Sequence, residues 1–246
     1  MRYFLEVSYK GTAYSGFQSQ KNANTVQAEI EKAFKIILKE VIGLTSSSRT
    51  DAGVHAYQNY FHFDIDRALS SKLLYNLNSV LPADISVNSL KEVGDKAHCR
   101  FDAVSREYKY FIYKKKNPFL SEKAFYFPYT LDLNLMQAAA AVIKEYSDFT
   151  SFSKRNTQVR SFVCEIKESQ WLIEGECFVY QVRANRFLRG MVRALTATML
   201  KLGRGTISLE AFRDVIESRD CTLANFAVPA HGLFLMNVSF PDNYFN

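Results

Sequence analysis

The chain has 246 residues, 48% hydrophobic and 23% charged, which excludes a disordered or collagen-like protein and allows a core that needs no disulfide or metal staple. Lysine and arginine number 31 against 25 acidic residues, a net charge of +6 that is compatible with a polyanionic partner but does not establish one. One large domain or two small ones fit this length.

In chain order, Tyr3, Leu5, Val7 and Tyr9 alternate with Phe4, Glu6 and Ser8 and predict a strand. A turn-rich stretch with Gly11, Gly16, Asn22 and Asn24 follows. Val26, Ile30, Ala33, Phe34, Ile37 and Leu38 then recur at helical spacing, with Asn24 or Thr25 as the cap. The short segment 44–48 leads into Arg49-Thr50-Asp51-Ala52-Gly53-Val54-His55. Beyond it the pattern predicts a strand over 57–65, a helix over 69–80 that stops before Pro82, and a strand over 85–93. The second half predicts a strand over 108–114, an alanine-rich helix over 133–146, and strands over 162–167 and 172–182. A long helix over 185–201 ended by Gly203, a short helix over 209–216 and a closing strand over 233–238 complete it. The break near Asp102 to Ser105 divides the chain into expected subdomains 1–104 and 105–246. Strands are not each followed by a helix, so an α+β fold is expected, with two fused α/β subdomains sharing a mostly antiparallel mixed sheet.

Cys99, Cys164, Cys177 and Cys221 form no C-x-x-C motif, and scattered thiols suit a reducing compartment. Arg2 is followed by alternating residues rather than an apolar signal segment, and no run of about 18 apolar residues exists. A cytoplasmic protein with no membrane span is the expectation. The aromatics, 14 Tyr and 20 Phe, often neighbour cations, as in the stretch from Arg106 to Lys116. Such a strand either packs its rings and solvates its lysines, or lines a nucleic-acid groove where cations hold phosphates and rings stack on bases.

Local propensity explains the stretch 49–55 least. Asp51 is either a turn former that accepts from nearby amides or a working carboxylate. His55 reads as a hydrogen-bonded structural residue. His62, His98 and His231 are too far apart in sequence for spacing to suggest a metal site. Arg186, Arg189 and Arg193 follow three and four residues apart, so the predicted helix from Asn185 would carry them on one face. Two of them would sit near its first turn, where the helix dipole disfavours cations. That stripe is either solvated or meets an anion.

The segment Ser48-Arg49-Thr50-Asp51-Ala52-Gly53-Val54-His55-Ala56 resembles the active-site loop of the TruA family of tRNA pseudouridine synthases. The likeness extends over nearly the whole chain. Upstream lie Tyr9-Lys10-Gly11-Thr12-Ala13-Tyr14-Ser15-Gly16-Phe17-Gln18 and Thr25-Val26-Gln27. Downstream, Phe101, Arg106-Glu107-Tyr108-Lys109-Tyr110, Asp148-Phe149-Thr150-Ser151-Phe152 and Phe187-Leu188-Arg189-Gly190-Met191-Val192-Arg193 fall in the family's order. The chain departs from the common pattern at Phe17, Ser19, Ser48, Gly190 and Ala197, none of them a proposed catalytic group.

The resemblance implies the pseudouridine synthase fold with a central RNA-binding cleft. The implied reaction isomerises uridine in the anticodon stem-loop of tRNA, at positions 38, 39 and 40. It needs no cofactor and no metal, because no atom is gained or lost. By the same resemblance Asp51 is the catalytic carboxylate, Arg193 the cation beside it, and Tyr108 the ring stacked on the target uracil. Arg49 enters where the base leaves the stack, and Arg186 and Arg189 join the RNA contacts. Desolvation drives an enclosed carboxylate towards its neutral form, and a nearby cation opposes this. The family also implies a homodimer gripping tRNA. A non-catalytic RNA-binding protein and a nucleoside hydrolase are the competing classes; the first has no need of Asp51, and the second releases free uracil or sugar.

Overall fold

Nine strands and five α-helices form among the described residues, an α+β arrangement. The computed structural model describes residues 1–155 and 159–245. Two units emerge: residues 1–104 together with 234–246, and residues 105–233. The sequence reading carries the second subdomain through to residue 246, whereas the C-terminal segment belongs to the first unit.

In the first unit, β1 (Arg2–Tyr9) lies between β3 (His55–Asp64) and β4 (Ile85–Val93) and pairs antiparallel with both. The short β2 (Thr45–Ser46) pairs antiparallel with β3. Strand β9 (Leu233–Ser239) runs parallel to β3, with His55 opposite Phe234 and Ala56 opposite Leu235. This pairing explains the displaced boundary. It is reinforced by the Val104 amide donating to the Ser239 carbonyl, and by Phe240, Tyr244 and Phe245 clustering on the Phe4 ring.

Helix α1 (Val26–Leu38) begins where Thr25 Oγ1 accepts from the Ala28 amide at 3.3 Å, so Thr25 rather than Asn24 is the cap. It buries Val26, Ile30, Ala33 and Phe34, and the Phe34 ring meets Phe63 of β3 edge-on at 5.0 Å. Burying Ile30 and Phe34 completely stabilises the unit by about 1.5–3 kcal/mol each. Helix α2 (Leu73–Val80) starts later than its apolar pattern suggests. A turn at Ser70 takes the chain there first, its hydroxyl accepting from the Lys72 amide and its carbonyl from the Leu73 amide.

In the second unit, β8 (Cys177–Ala184) pairs antiparallel with both β5 (Ser105–Tyr113) and β7 (Ile166–Glu174). The short β6 (Phe125–Tyr126) runs parallel to β5. The single strand expected over 172–182 is instead a hairpin, because Gly175 at φ 57° turns the chain between β7 and β8. Of the strand expected over 162–167, only the last two residues join β7; Val163 forms an isolated bridge with Asp148. Asp132 caps α3 (Leu133–Ile143) by accepting from the amides of Asn134 and Leu135, and Ser208 caps α5 (Leu209–Glu217). Helix α4 (Met191–Gly203) exposes almost nothing: apart from Arg193 and Lys201 every residue in it is buried. The hydroxyls of Thr196 and Thr198 donate to carbonyls one turn back, which makes their burial tolerable.

Candidate active site

Residues 47–54 of the first unit connect β2 to β3 without regular structure, and hydrogen bonds hold their backbone at several points. Asn59 of β3 organises this loop from behind. Its Nδ2 donates to the Ser48 carbonyl at 2.9 Å and to Tyr9 Oη at 3.3 Å, and its Oδ1 accepts from the amides of Ser48 and Tyr60. Tyr9 Oη and Thr50 Oγ1 lie 2.8 Å apart in the same buried network. The Thr50 carbonyl accepts from the Phe17 amide, and the Phe17 ring stacks between Tyr9 at 5.2 Å and Phe61 at 4.7 Å.

On the far side of Asp51, the Val54 amide donates to the Asp51 carbonyl, closing a tight turn. Gly11 lies directly against that turn. A Cβ there would sit 2.0 Å from the Val54 carbonyl oxygen, so only glycine admits this approach. The Gly11 amide also donates to His55 Nδ1 at 3.1 Å, and the His55 ring stacks on Phe234 at 4.5 Å. His55 is the structural residue its sequence context suggests. The result is a half-buried Asp51 on an immobilised turn, with Arg49 two residues earlier and exposed.

In the second unit, the β5 face that turns inward carries Arg106, Tyr108, Tyr110 and Ile112 in strict alternation. Tyr108 is 8% exposed and meets Phe187 edge-on at 5.0 Å. Arg106 donates to the Asn185 carbonyl. Tyr110 donates to the Pro229 carbonyl at 2.7 Å, and burial holds its hydroxyl firmly protonated, far above the ordinary tyrosine range. Arg193, in the first turn of α4, directs Nε and Nη2 onto the Val228 carbonyl at 3.0 and 2.6 Å. Val228 belongs to a loop that α4 itself secures, since the Asn225 amide donates to Thr198 Oγ1. The guanidinium is thus oriented by a fork onto one oxygen rather than left to swing.

The basic face expected on one helix does not form. Helix α4 begins at Met191, and Arg186 and Arg189 precede it. The break has two causes. Asn185 is tied to the segment just ahead of β7, its amide donating to the Glu165 carbonyl and its Oδ1 accepting from the Glu165 amide. Gly190 then takes φ 77°, a left-handed conformation that ends any helix approaching from Asn185. Arg186 is half-buried and Arg189 exposed, and only Arg193 faces the adverse end of the helix dipole. The sequence reading also missed Asn59, which ties down the loop at Ser48, and Val228, whose carbonyl orients Arg193. Neither carries a signal, because one acts through an ordinary strand amide and the other through its backbone.

Among the described residues no group of three or more His, Cys, Asp or Glu side chains is placed to hold a metal ion. Nor is any helix among them long and apolar enough to cross a membrane.

A family model described as tRNA pseudouridine synthase matches residues 6–102 and 146–241, segments that contain Arg49, Asp51 and Arg193 but not Tyr108. A tRNA pseudouridine synthase A of Parabacteroides distasonis is 43% identical over 246 residues, covering 99% of this chain and 98% of the relative. Its counterpart in Porphyromonas gingivalis is 41% identical, covering 99% of both chains. One from Staphylococcus aureus is 37% identical, covering 99% of this chain and 92% of its own. With a match of this extent, the chain belongs to the tRNA pseudouridine synthase family, whose members are isomerases.

Proposed function

We propose that this chain converts uridine to pseudouridine in the anticodon stem-loop of tRNA, at positions 38, 39 and 40, acting as a cytoplasmic homodimer. The observation that carries this reading is the rigid turn that presents Asp51. The bond from C1′ to N1 of the uracil breaks, a bond from C1′ to C5 forms, the proton on C5 departs and N1 gains one, so nothing is consumed. Whether the carboxylate attacks the base, attacks C1′ or removes a ribose proton, each route starts from ionised Asp51 in a site closed to water.

Arg193 supplies a positive charge to the reaction, Tyr108 stacks against the uracil, and Arg49 fills the gap left by the everted nucleotide. Eversion itself costs a few kcal/mol, because a stacked uridine cannot present C1′ and C5 to one carboxylate. Arg186 and Arg189 bind phosphate from the segment ahead of α4. Chemical mapping of pseudouridine in total tRNA from cells with and without the gene tests the reading. Loss of the signal at positions 38, 39 and 40 is expected, and an unchanged map would overturn it. Sedimentation equilibrium at micromolar concentration should give twice the 28.2 kDa chain mass; a monomer would remove the dimer from the proposal.

A further inference from the structure

A cavity of about 230 Å³ opens in the first unit beside Arg49, with Gln18, Ser46, His98, Arg100 and Phe101 also in its lining. It is smaller than the roughly 300 Å³ at which pockets for whole small-molecule ligands begin, so it suits one planar group and its attached anion. Its lining residues include two guanidinium groups and no carboxylate. Two acids bond to wall residues from outside the lining: Asp102 accepts from the His98 amide and the Tyr244 hydroxyl, and Glu31 accepts from Gln27. Among the described residues, neither the Arg49 guanidinium nor the Gln18 carboxamide makes a hydrogen bond or ion pair.

Phe101 stands at this cavity 74% exposed, which is unusual for a phenyl ring whose backbone is so tightly held. His98 Nδ1 accepts from the amides of both Arg100 and Phe101, at 3.2 and 3.4 Å, and the Asp102 amide donates back to the His98 carbonyl. The His98 ring rests 4.2 Å from Phe101 on one side, and His62 in turn supports His98 at 4.5 Å. The Arg100 guanidinium lies 5.8 Å from the Phe101 centroid. A fixed aromatic ring open to solvent, flanked by cations, is the arrangement on which single-stranded bases stack while their phosphates are neutralised.

We propose that this cavity is a second nucleotide subsite. An unpaired base close to the target uridine stacks on Phe101, its phosphate lies against Arg100, and Gln18 hydrogen-bonds the base edge. The subsite rests on the reading of the chain as an RNA-modifying enzyme. It shares Arg49 with the aspartate turn, so the nucleotide it holds is a near neighbour of the one that reacts. His98 is a positioning residue that sets the Phe101 backbone.

The full-length protein tests this with unmodified tRNA, measuring the dissociation constant, KM and kcat for Phe101→Ala, Phe101→Tyr and Arg100→Gln. Phe101→Ala should raise both the dissociation constant and KM about 10-fold while kcat stays within about 2-fold, and Phe101→Tyr should restore wild-type values. Arg100→Gln should weaken binding and flatten its salt dependence. A scan of single abasic substitutions around the target should find one position that weakens wild-type binding equally and adds nothing to Phe101→Ala. Wild-type constants for Phe101→Ala, or an equal loss in Phe101→Tyr, would overturn the subsite. If the protein binds tRNA but forms no pseudouridine, the proposed function fails while the binding arm still decides the subsite. If it binds no tRNA, both fall.

Discussion

Arg193 shows how one side chain is made into an instrument by its surroundings. Two of its nitrogens converge on the Val228 carbonyl, a geometry that a lysine ammonium cannot reproduce. Arg193→Lys keeps the charge and loses the fork, so kcat should fall by about 10²-fold with tRNA affinity little changed; a steady-state comparison reads both. Asp51 was singled out by the resemblance of its loop, whereas the residues that hold that loop, Asn59 and Gly11 among them, lie apart from it in sequence. The partner of Arg193 was not legible, since Val228 lies 35 positions away and contributes only a carbonyl. His62 supplies a pH effect. Burial, then the neighbouring His98 and Arg2, push its imidazole down from 6.5 to about 4. Its proton is therefore bound more readily by the unfolded chain. The stability this favours is complete above about pH 6.5 and is lost as the pH falls towards 4. Urea unfolding at pH 7.5 and pH 5 should show about 2 kcal/mol more acid sensitivity in the wild type than in His62→Gln. Equal slopes would contradict the assignment.

Among the elements, strands and helices with a clear period emerge near their expected limits, as for β4 and α1, where alternation or a 3.6-residue stripe coincides with a cap or a proline. The departures occur where a backbone contact overrides the pattern. Apolar Phe187, Leu188 and Met191 mimic a helical stripe across residues 185–193, but the Asn185–Glu165 pairing and the left-handed Gly190 stop it. The hairpin at Gly175 was hidden because both flanking strands are rich in the same residue types. Gly11 gives the sharpest test of how one element fixes another. Its turn presses on Val54, and Gly11→Ala must move backbone rather than a flexible side chain. Thermal and urea unfolding should show a loss of about 2–3 kcal/mol, with kcat reduced more than tRNA affinity because the displaced turn carries Asp51. A variant with wild-type stability would mean that the two segments are free to separate.

The pattern of elements suggested a break near Asp102 to Ser105, but the return of β9 to β3 could not be read from it. Parallel pairing between residues about 180 apart leaves no local trace beyond an ordinary apolar strand. The modest excess of positive charge gains meaning from placement, with Arg49 and Arg100 at one cavity of the first unit. Binding of tRNA should weaken at least about 100-fold between 50 and 200 mM salt if several phosphates are neutralised, and a flat response would argue against a backbone-gripping surface. The most direct test of catalysis by Asp51 is a single-turnover assay of Asp51→Asn on unmodified tRNA, with affinity measured in parallel. The substitution keeps the shape of the side chain and removes its charge. Pseudouridine formation should fall about 10³-fold or more while the dissociation constant stays within about 3-fold; turnover at the wild-type rate would contradict a catalytic role for this carboxylate.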